Sequence, residues 1–176
     1  YIGISFFYSS LSNHPAVGQA FALYPFITFP IIQSNKDFLG FKLGLGMAYL
    51  TKTFDRLENY KNIAIGSNFN VAINLMAVYR RQLNESTAVS AGLSLIHFSN
   101  GSTATPNYGL NLFGLNVGIR YNVNLHQRML DTDPYTTNVL PARFNRPRAD
   151  VNHKSEFSNS VDLFGAIGTV QNDEDA

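Results

Sequence analysis

The chain has 176 residues, enough for one domain, and a formal net charge of +1. This balance excludes the strongly basic field of a nucleic-acid-binding protein, and the absence of cysteine excludes disulfides and thiolate metal sites. Only 14% of the residues are charged, whereas typical soluble domains contain about 25%.

An alternation of apolar with small or polar residues, which has a period of two, predicts β-strands along most of the chain. Several of the alternating segments reach about twelve residues or more, although soluble strands average about 5–6. In chain order the predicted strands are 2–10, 20–30, 38–51, 63–81, 87–100, 110–123 and 160–170.

The two faces of these strands differ in composition. From Leu39 through Val123 the odd-numbered residues are mostly apolar, and the even-numbered ones are mostly Gly, Ala, Asn and Ser. A soluble sandwich or lipocalin-like barrel also alternates, but its outward face would be richer in Lys and Glu. We therefore predict an all-β fold, an antiparallel up-and-down transmembrane β-barrel with the odd-numbered residues outward and a polar lumen.

The connections between the predicted strands alternate in length, as such barrels require. Tight turns at 33–37 and 84–86 alternate with longer loops at 52–62 and 101–109. Segment 124–156 is polar and without period, and we interpret it as a long irregular connection. Tyrosines near segment ends are expected at the membrane interfaces. They are Tyr24, Tyr49, Tyr79 and Tyr121.

Closed bacterial barrels usually have an even number of strands, whereas seven strand-like segments are visible here. The chain also opens at Tyr1, directly before a strand-like stretch. We therefore interpret residues 1–176 as one outer-membrane barrel domain, incomplete at both ends and lacking at least one strand.

Three polar residues interrupt the apolar face near one end of the predicted barrel. Strand parity places His97 and Ser99 on that face, about 6.5–7 Å apart along the strand. A hairpin through loop 101–109 brings Asn111, which has the same parity, opposite or diagonal to Ser99. Polar side chains at a lipid-facing position are costly without a partner or a task.

A histidine, a serine and a third polar group are the parts of a serine esterase. His97 would take the proton of Ser99, a third group would orient the imidazole, and nearby amides would hold the oxyanion. The alternative is that His97 and Ser99 belong to the amphipathic transition zone of an aromatic belt. Parity alone leaves both open.

The surrounding motif resembles the active site of the PagL-type lipid A 3-O-deacylases. Its matching residues are His97, Ser99, Asn100, Pro106, Asn107 and Gly109. The wider chain, with segments 54–56 and 58–62, is similar to longer Bacteroidetes proteins labelled acyloxyacyl hydrolases. The resemblance implies an outer-membrane barrel whose lipid-facing His and Ser cleave an ester-linked acyl chain of lipid A. It makes Asn100 and Asn107 candidate oxyanion or substrate-positioning groups, although Asn is also common in turns.

One residue departs from the family pattern, because Asn111 stands where the family has a catalytic Glu. An Asn carbonyl oxygen accepts the imidazole proton but does not stabilise the imidazolium by charge. Asn111 is then a neutral orienting group, or the enzyme is slow, or Glu58 or Asp55 from the other outer loop substitutes. We favour the neutral orienting group.

The expected function is hydrolysis of an acyl ester of lipopolysaccharide by an integral outer-membrane protein, without a cofactor. A metal site is not expected either, because His14, His126 and His153 show no ligand spacing. Lipid A of the outer leaflet would be the partner, and nucleic acid would not be bound. The rival interpretation is a non-catalytic barrel, a small channel or a surface-binding protein, that has lost the catalytic acid.

Overall fold

The structure, a computed structural model, describes residues 1–11, 16–123 and 160–171. Seven strands form one antiparallel sheet in which neighbours in sequence are neighbours in space. They are β1 (Ile2–Ser10), β2 (Gln19–Gln33), β3 (Asp37–Leu50), β4 (Phe69–Gln82), β5 (Thr87–Ser99), β6 (Leu110–Asn122) and β7 (Ser160–Gln171). The predicted all-β, up-and-down architecture is confirmed. The predicted connection 124–156 lies outside the described residues.

The sheet curls strongly, because strands that are not neighbours touch across its concave side. The ring of Phe7 in β1 lies 6.2 Å from the ring of Phe98 in β5, centroid to centroid. The guanidinium carbon of Arg120 in β6 lies 5.9 Å from the ring of Tyr1. The seven strands therefore form a half-barrel with an interior and an outer wall. In the described part of the chain, no helix is long and apolar enough to cross a membrane.

The outward direction of the odd-numbered residues is confirmed from β3 to β6. Leu93 is 66% exposed on the outer wall, whereas Asn74 is 3% exposed in the interior. In β1 the even-numbered residues, such as Ile4 and Phe6, are the exposed ones. The outer wall is consequently a continuous band of exposed apolar side chains.

The connections at the two ends of the half-barrel differ in length, and we call these ends the loop end and the turn end. Loops 51–68 and 100–109 lie at the loop end, and turns 34–36 and 83–86 lie at the turn end. At the loop end the interior holds a cluster of buried apolar side chains, which we call the apolar core. It includes Leu11, Val17, Tyr24, Leu50, Ala64, Ile65, Ile96, Phe98, Leu110 and Leu112. The interior at this end is therefore more apolar than the predicted polar lumen, although Asn62, Asn70 and Asn100 are also buried here.

Two local predictions are wrong. Segment 63–68 is not part of a strand, because β4 begins at Phe69, and Ala64 and Ile65 instead turn inward to join the apolar core. Tyr24 does not lie at an interface. It is buried in the interior over Gly44, where a Cβ would lie 2.5 Å from its ring. Tyr49, Tyr79 and Tyr121 are exposed on the outer wall.

Candidate active site

His97 and Asn111 face each other on neighbouring strands of the outer wall. They are directly paired in the β5–β6 register, and His97 Nδ1 lies 2.7 Å from Asn111 Oδ1. An amide oxygen only accepts hydrogen bonds, so this contact puts the proton of a neutral imidazole on Nδ1. The lone pair of Nε2 is then left for another partner.

Ser99 ends β5 two residues beyond His97 and points to the same wall, opposite Val71 of β4. Its Oγ accepts hydrogen bonds from Asn107 Nδ2 at 3.0 Å and from the backbone N–H of Gly101 at 3.3 Å. Its hydroxyl donates a long bond of 3.4 Å to Asn107 Oδ1. Among the described residues its partners are thus Asn107 and Gly101, and it does not bond His97.

Asn107 holds the serine from the far side of the loop. Besides its contacts with Ser99, its Oδ1 accepts the backbone N–H of Asn100 at 3.1 Å. Its amide group therefore ties the end of β5 to the middle of loop 100–109. Of the two asparagines predicted to position substrate, this is the one that lies beside Ser99.

The side chain of Asn100 is directed elsewhere. It is buried, and its Nδ2 donates to Ser67 Oγ and to the carbonyl oxygen of Ala104, both at 3.0 Å. Its carbonyl accepts the N–H of Thr103, which closes a turn whose central residues have φ of 63° and 64°. These central residues are Gly101 and Ser102, and only the first has no Cβ to strain. The Asn100 side chain therefore supports the loop rather than contacting Ser99.

Gly109 shapes the other side of the imidazole. Its φ of +82° is one that L side chains rarely adopt, and its N–H donates to Ala64 O at 3.0 Å. A Cβ here would lie 2.6 Å from His97 Cε1 and 3.3 Å from Nε2. The missing side chain thus lets the loop pass against the Cε1 and Nε2 edge of the ring.

The apolar core lies directly behind these residues. Phe98 alternates with His97 and Ser99, and Leu110 and Leu112 flank Asn111; all three are buried. Because interiors are close-packed, they hold β5 and β6 at a fixed separation. The polar side chains of the outer wall therefore stand on a rigid base.

The two acids offered as substitutes for the family's Glu do not contact His97. Asp55 Oδ1 accepts the backbone N–H groups of Glu58 at 3.0 Å and Leu57 at 2.8 Å. These bonds, that of Glu58 first, hold the pKa of the Asp55 carboxyl below its ordinary value. Asp55 and Glu58 line a surface cleft of about 500 Å³ that also includes Ala16 of the neighbouring connection. His14, His126 and His153 lie outside the described residues.

The molecule is a curled antiparallel barrel wall with a histidine, a serine and two amides grouped on its apolar outer face. A model of the family described as lipid A 3-O-deacylase (PagL) matches residues 2–120, which is more than half of the chain and includes all of these side chains. The chain therefore belongs to the lipid A 3-O-deacylase family, and the resemblance seen in the sequence is confirmed. No curated protein and no solved structure gives a significant match.

Sequence reasoning missed the contact between Ser99 and the N–H of Gly101. The pair Asn100-Gly101 was a signal for it, because Asn-Gly favours tight turns with positive φ. The sequence also did not predict why residue 109 is a glycine, because that depends on where the imidazole of His97 lies.

Proposed function

We propose that this protein hydrolyses an ester-linked fatty acyl chain of lipid A in the bacterial outer membrane, with Ser99 as nucleophile and His97 as general base. The bond between His97 Nδ1 and Asn111 Oδ1, with Ser99 next in the same outward row, carries the proposal. It leaves the lone pair of Nε2 free to act as the base, as nucleophilic acyl transfer requires.

The reaction begins when the Ser99 hydroxyl rotates from Asn107 toward His97 Nε2, a tightening that is common between free and substrate-bound sites. His97 takes the hydroxyl proton while Oγ attacks the ester carbonyl carbon. The proton then passes to the departing sugar oxygen, and the acyl chain stays on Ser99. Water, deprotonated by the same imidazole, releases the fatty acid and restores the serine.

Two donors are available for the oxyanion of the tetrahedral intermediate. The N–H of Gly101 and the amide of Asn107 now donate to Ser99 Oγ at 3.3 and 3.0 Å. When Oγ turns toward His97, both donors become free beside the reacting carbon. Preorganised donors of this kind are usually the largest single contribution to such catalysis.

Asn111 acts in this mechanism as a neutral orienting group. It fixes the tautomer of His97 through Nδ1, as an Asn does in papain-like proteases. It does not offset the positive charge that forms on the imidazolium, so the reaction is expected to be slower than with a carboxylate at position 111.

The bilayer itself would present the substrate. The outer wall is apolar along its length, and His97 and Ser99 lie at its loop end, the height at which the ester bonds of a lipid would lie if the long loops face outside. Acyl chains would lie along the wall and the sugar would meet loops 51–68 and 100–109. Ester hydrolysis by these residues needs no cofactor.

The rival function is a non-catalytic barrel. Its channel form is disfavoured, because buried Leu50, Ile65 and Phe98 fill the interior at the loop end. Its surface-binding form is favoured by one observation, the neutral Asn111 in place of an acid.

Fatty acid release separates the two functions. Full-length protein in mixed micelles with lipopolysaccharide should release free fatty acid, quantified by mass spectrometry. Ser99→Ala should lower the rate by at least about 10⁴-fold. Ser90→Ala, an inward serine of the same strand, is the matched control and should retain the rate. No release by the wild type, or equal release by Ser99→Ala, would favour the surface-binding barrel.

A further inference from the structure

Four charged side chains point into the interior near the turn end of the half-barrel. They are Lys42 of β3, Arg80 of β4, Arg120 of β6 and Asp162 of β7. Lys42 and Arg80 are only 7% and 8% exposed. Buried charges are strongly unfavourable unless an opposite charge and hydrogen bonds compensate them. Each buried cation therefore needs an anion nearby.

The acid of this cluster is already engaged. Both carboxylate oxygens of Asp162 accept hydrogen bonds from Arg120, one from Nε and one from Nη2. This bidentate geometry satisfies the carboxylate and one guanidinium together. Among the described residues, neither Lys42 nor Arg80 forms a salt bridge.

Aromatic rings, not anions, surround these two cations. Lys42 Nζ lies 4.0 Å from the ring centroid of Phe26 and 5.3 Å from that of Phe164, and the guanidinium carbon of Arg80 lies 4.9 Å from that of Phe38. Ring faces attract cations but fill few of their N–H donors. Arg80 Nε is buried and has no hydrogen-bond partner in the described part of the chain.

The two cations border one buried cluster at the turn end. Phe38, beside Arg80, is buried in it with Met76 and Val78, and Phe164, beside Lys42, packs against it. An ammonium and a guanidinium N–H without a partner, buried beside the same aromatic cluster, are the groups that recognise an oxyanion. Apolar walls strengthen that attraction because they keep water away.

We propose that the interior at the turn end is an oxyanion site, in which Arg80 and Lys42 bind a phosphate-class anion from solution. The site lies at the opposite end from Ser99 and is independent of the proposed ester hydrolysis. A carboxylate from the part of the chain that the structure does not describe would offer the same chemistry, so the test must separate the two sources.

The test measures thermal unfolding of the full-length protein in zwitterionic micelles with sodium phosphate or with sodium chloride at equal ionic strength. Phosphate should raise the unfolding midpoint saturably, since a ligand that binds only the folded state stabilises it. Arg80→Gln should weaken phosphate binding at least about tenfold. Arg81→Gln is the matched control and should keep it, because Arg81 is the next residue, is 56% exposed and bonds Asp37 on the outer wall.

A second variant, which should change phosphate affinity in the opposite direction, keeps the proposal testable if Arg80→Gln does not fold. Asp162→Asn releases Arg120 from its carboxylate, so it should bind phosphate about tenfold more tightly, which a folding defect would not do. A wild type whose midpoint responds equally to phosphate and chloride would overturn the proposal and assign the counter-charge to the chain's own carboxylates. Equal losses in Arg80→Gln and Arg81→Gln, or weaker binding by Asp162→Asn, would also overturn it.

Discussion

The loop end and the turn end of the half-barrel have different interiors. At the loop end His97, Ser99 and Asn111 lie on the outer wall and the interior is apolar. At the turn end the charges of Arg80 and Arg120 lie inside, and the outer wall carries the exposed ion pair of Arg81 with Asp37. The two ends thus differ mainly in their interiors, which hold an apolar cluster at the loop end and charged side chains at the turn end.

In the functions proposed above, the loop end would meet its ligand on the outer wall and the turn end would meet its ligand in the interior. A reaction on a membrane lipid needs its polar groups outside, and groups outside can be held accurately only if the strands behind them are packed. The apolar core supplies that packing for His97 and Ser99. At the turn end, where no site lies on the wall, the interior is free to hold charge.

The largest expected effect compares the packing of the two ends. Leu110→Ala and Met76→Ala each remove a buried side chain, one behind the site and one near the turn end, and each should lower the free energy of unfolding by about 2–5 kcal/mol. Only Leu110→Ala should also slow fatty acid release by folded protein, because Leu110 joins Gly109 to Asn111. Denaturant unfolding and rate measurements on the same samples check this. Equal loss of rate in both variants would show that the core has no special role behind the site.

A substitution at Gly109 should have the next largest effect. Gly109→Ala places a methyl group 2.6 Å from His97 Cε1 and should displace the imidazole. A displacement near 1 Å can cost about 10²-fold in rate. Gly18→Ala has a similar positive φ of +73° and also meets a side chain, that of Thr51, but it does not touch His97, so it reports strain and a clash away from the site and should keep most of the rate. Similar losses of kcat in the two variants would mean that strain, not the clash with His97, is responsible.

Asn111 should give the smallest change in rate. Asn111→Ala removes one hydrogen bond to the imidazole and should slow deacylation about tenfold. Asn111→Glu should retain or raise the rate, because a carboxylate accepts the same proton and stabilises the imidazolium. Asp55→Asn and Glu58→Gln should have little effect. A silent Asn111→Ala together with a sensitive loop acid would transfer the orienting role to loop 51–68.

Strand positions and parity were predictable because each strand has one face of apolar residues and one face of mostly small residues. A one-residue shift of register would move the apolar residues to the opposite face of the sheet. Segment 63–68 was wrongly predicted as part of a strand, because Ile63 and Ile65 alternate with small residues as in a strand. In the structure the same pattern serves a loop that covers the apolar core. Periodicity alone does not distinguish these two uses of buried apolar residues.

Part of the candidate site was predictable for the same reason. His97, Ser99 and Asn111 share a parity, and the β5–β6 hairpin brings His97 opposite Asn111. The contact of Asn107 with Ser99 depends on how loop 100–109 folds back, which no period encodes. The turn-end cations were visible as single residues, but their convergence with Asp162 depends on the pairing of strands far apart in sequence.

Covalent labelling tests most directly whether His97 activates Ser99 on the outer wall. The full-length protein in micelles is incubated with a long-chain alkyl fluorophosphonate, which phosphonylates activated serines and releases fluoride, and the labelled peptide is identified by mass spectrometry. The adduct is predicted on Ser99, with labelling at least about 10²-fold slower in His97→Ala and unchanged in Leu93→Ala, an outer-wall control on the same strand. Two results would contradict the claim that His97 activates Ser99. One is an unlabelled Ser99 in a protein that still releases fatty acid from lipopolysaccharide, and the other is labelling that does not depend on His97.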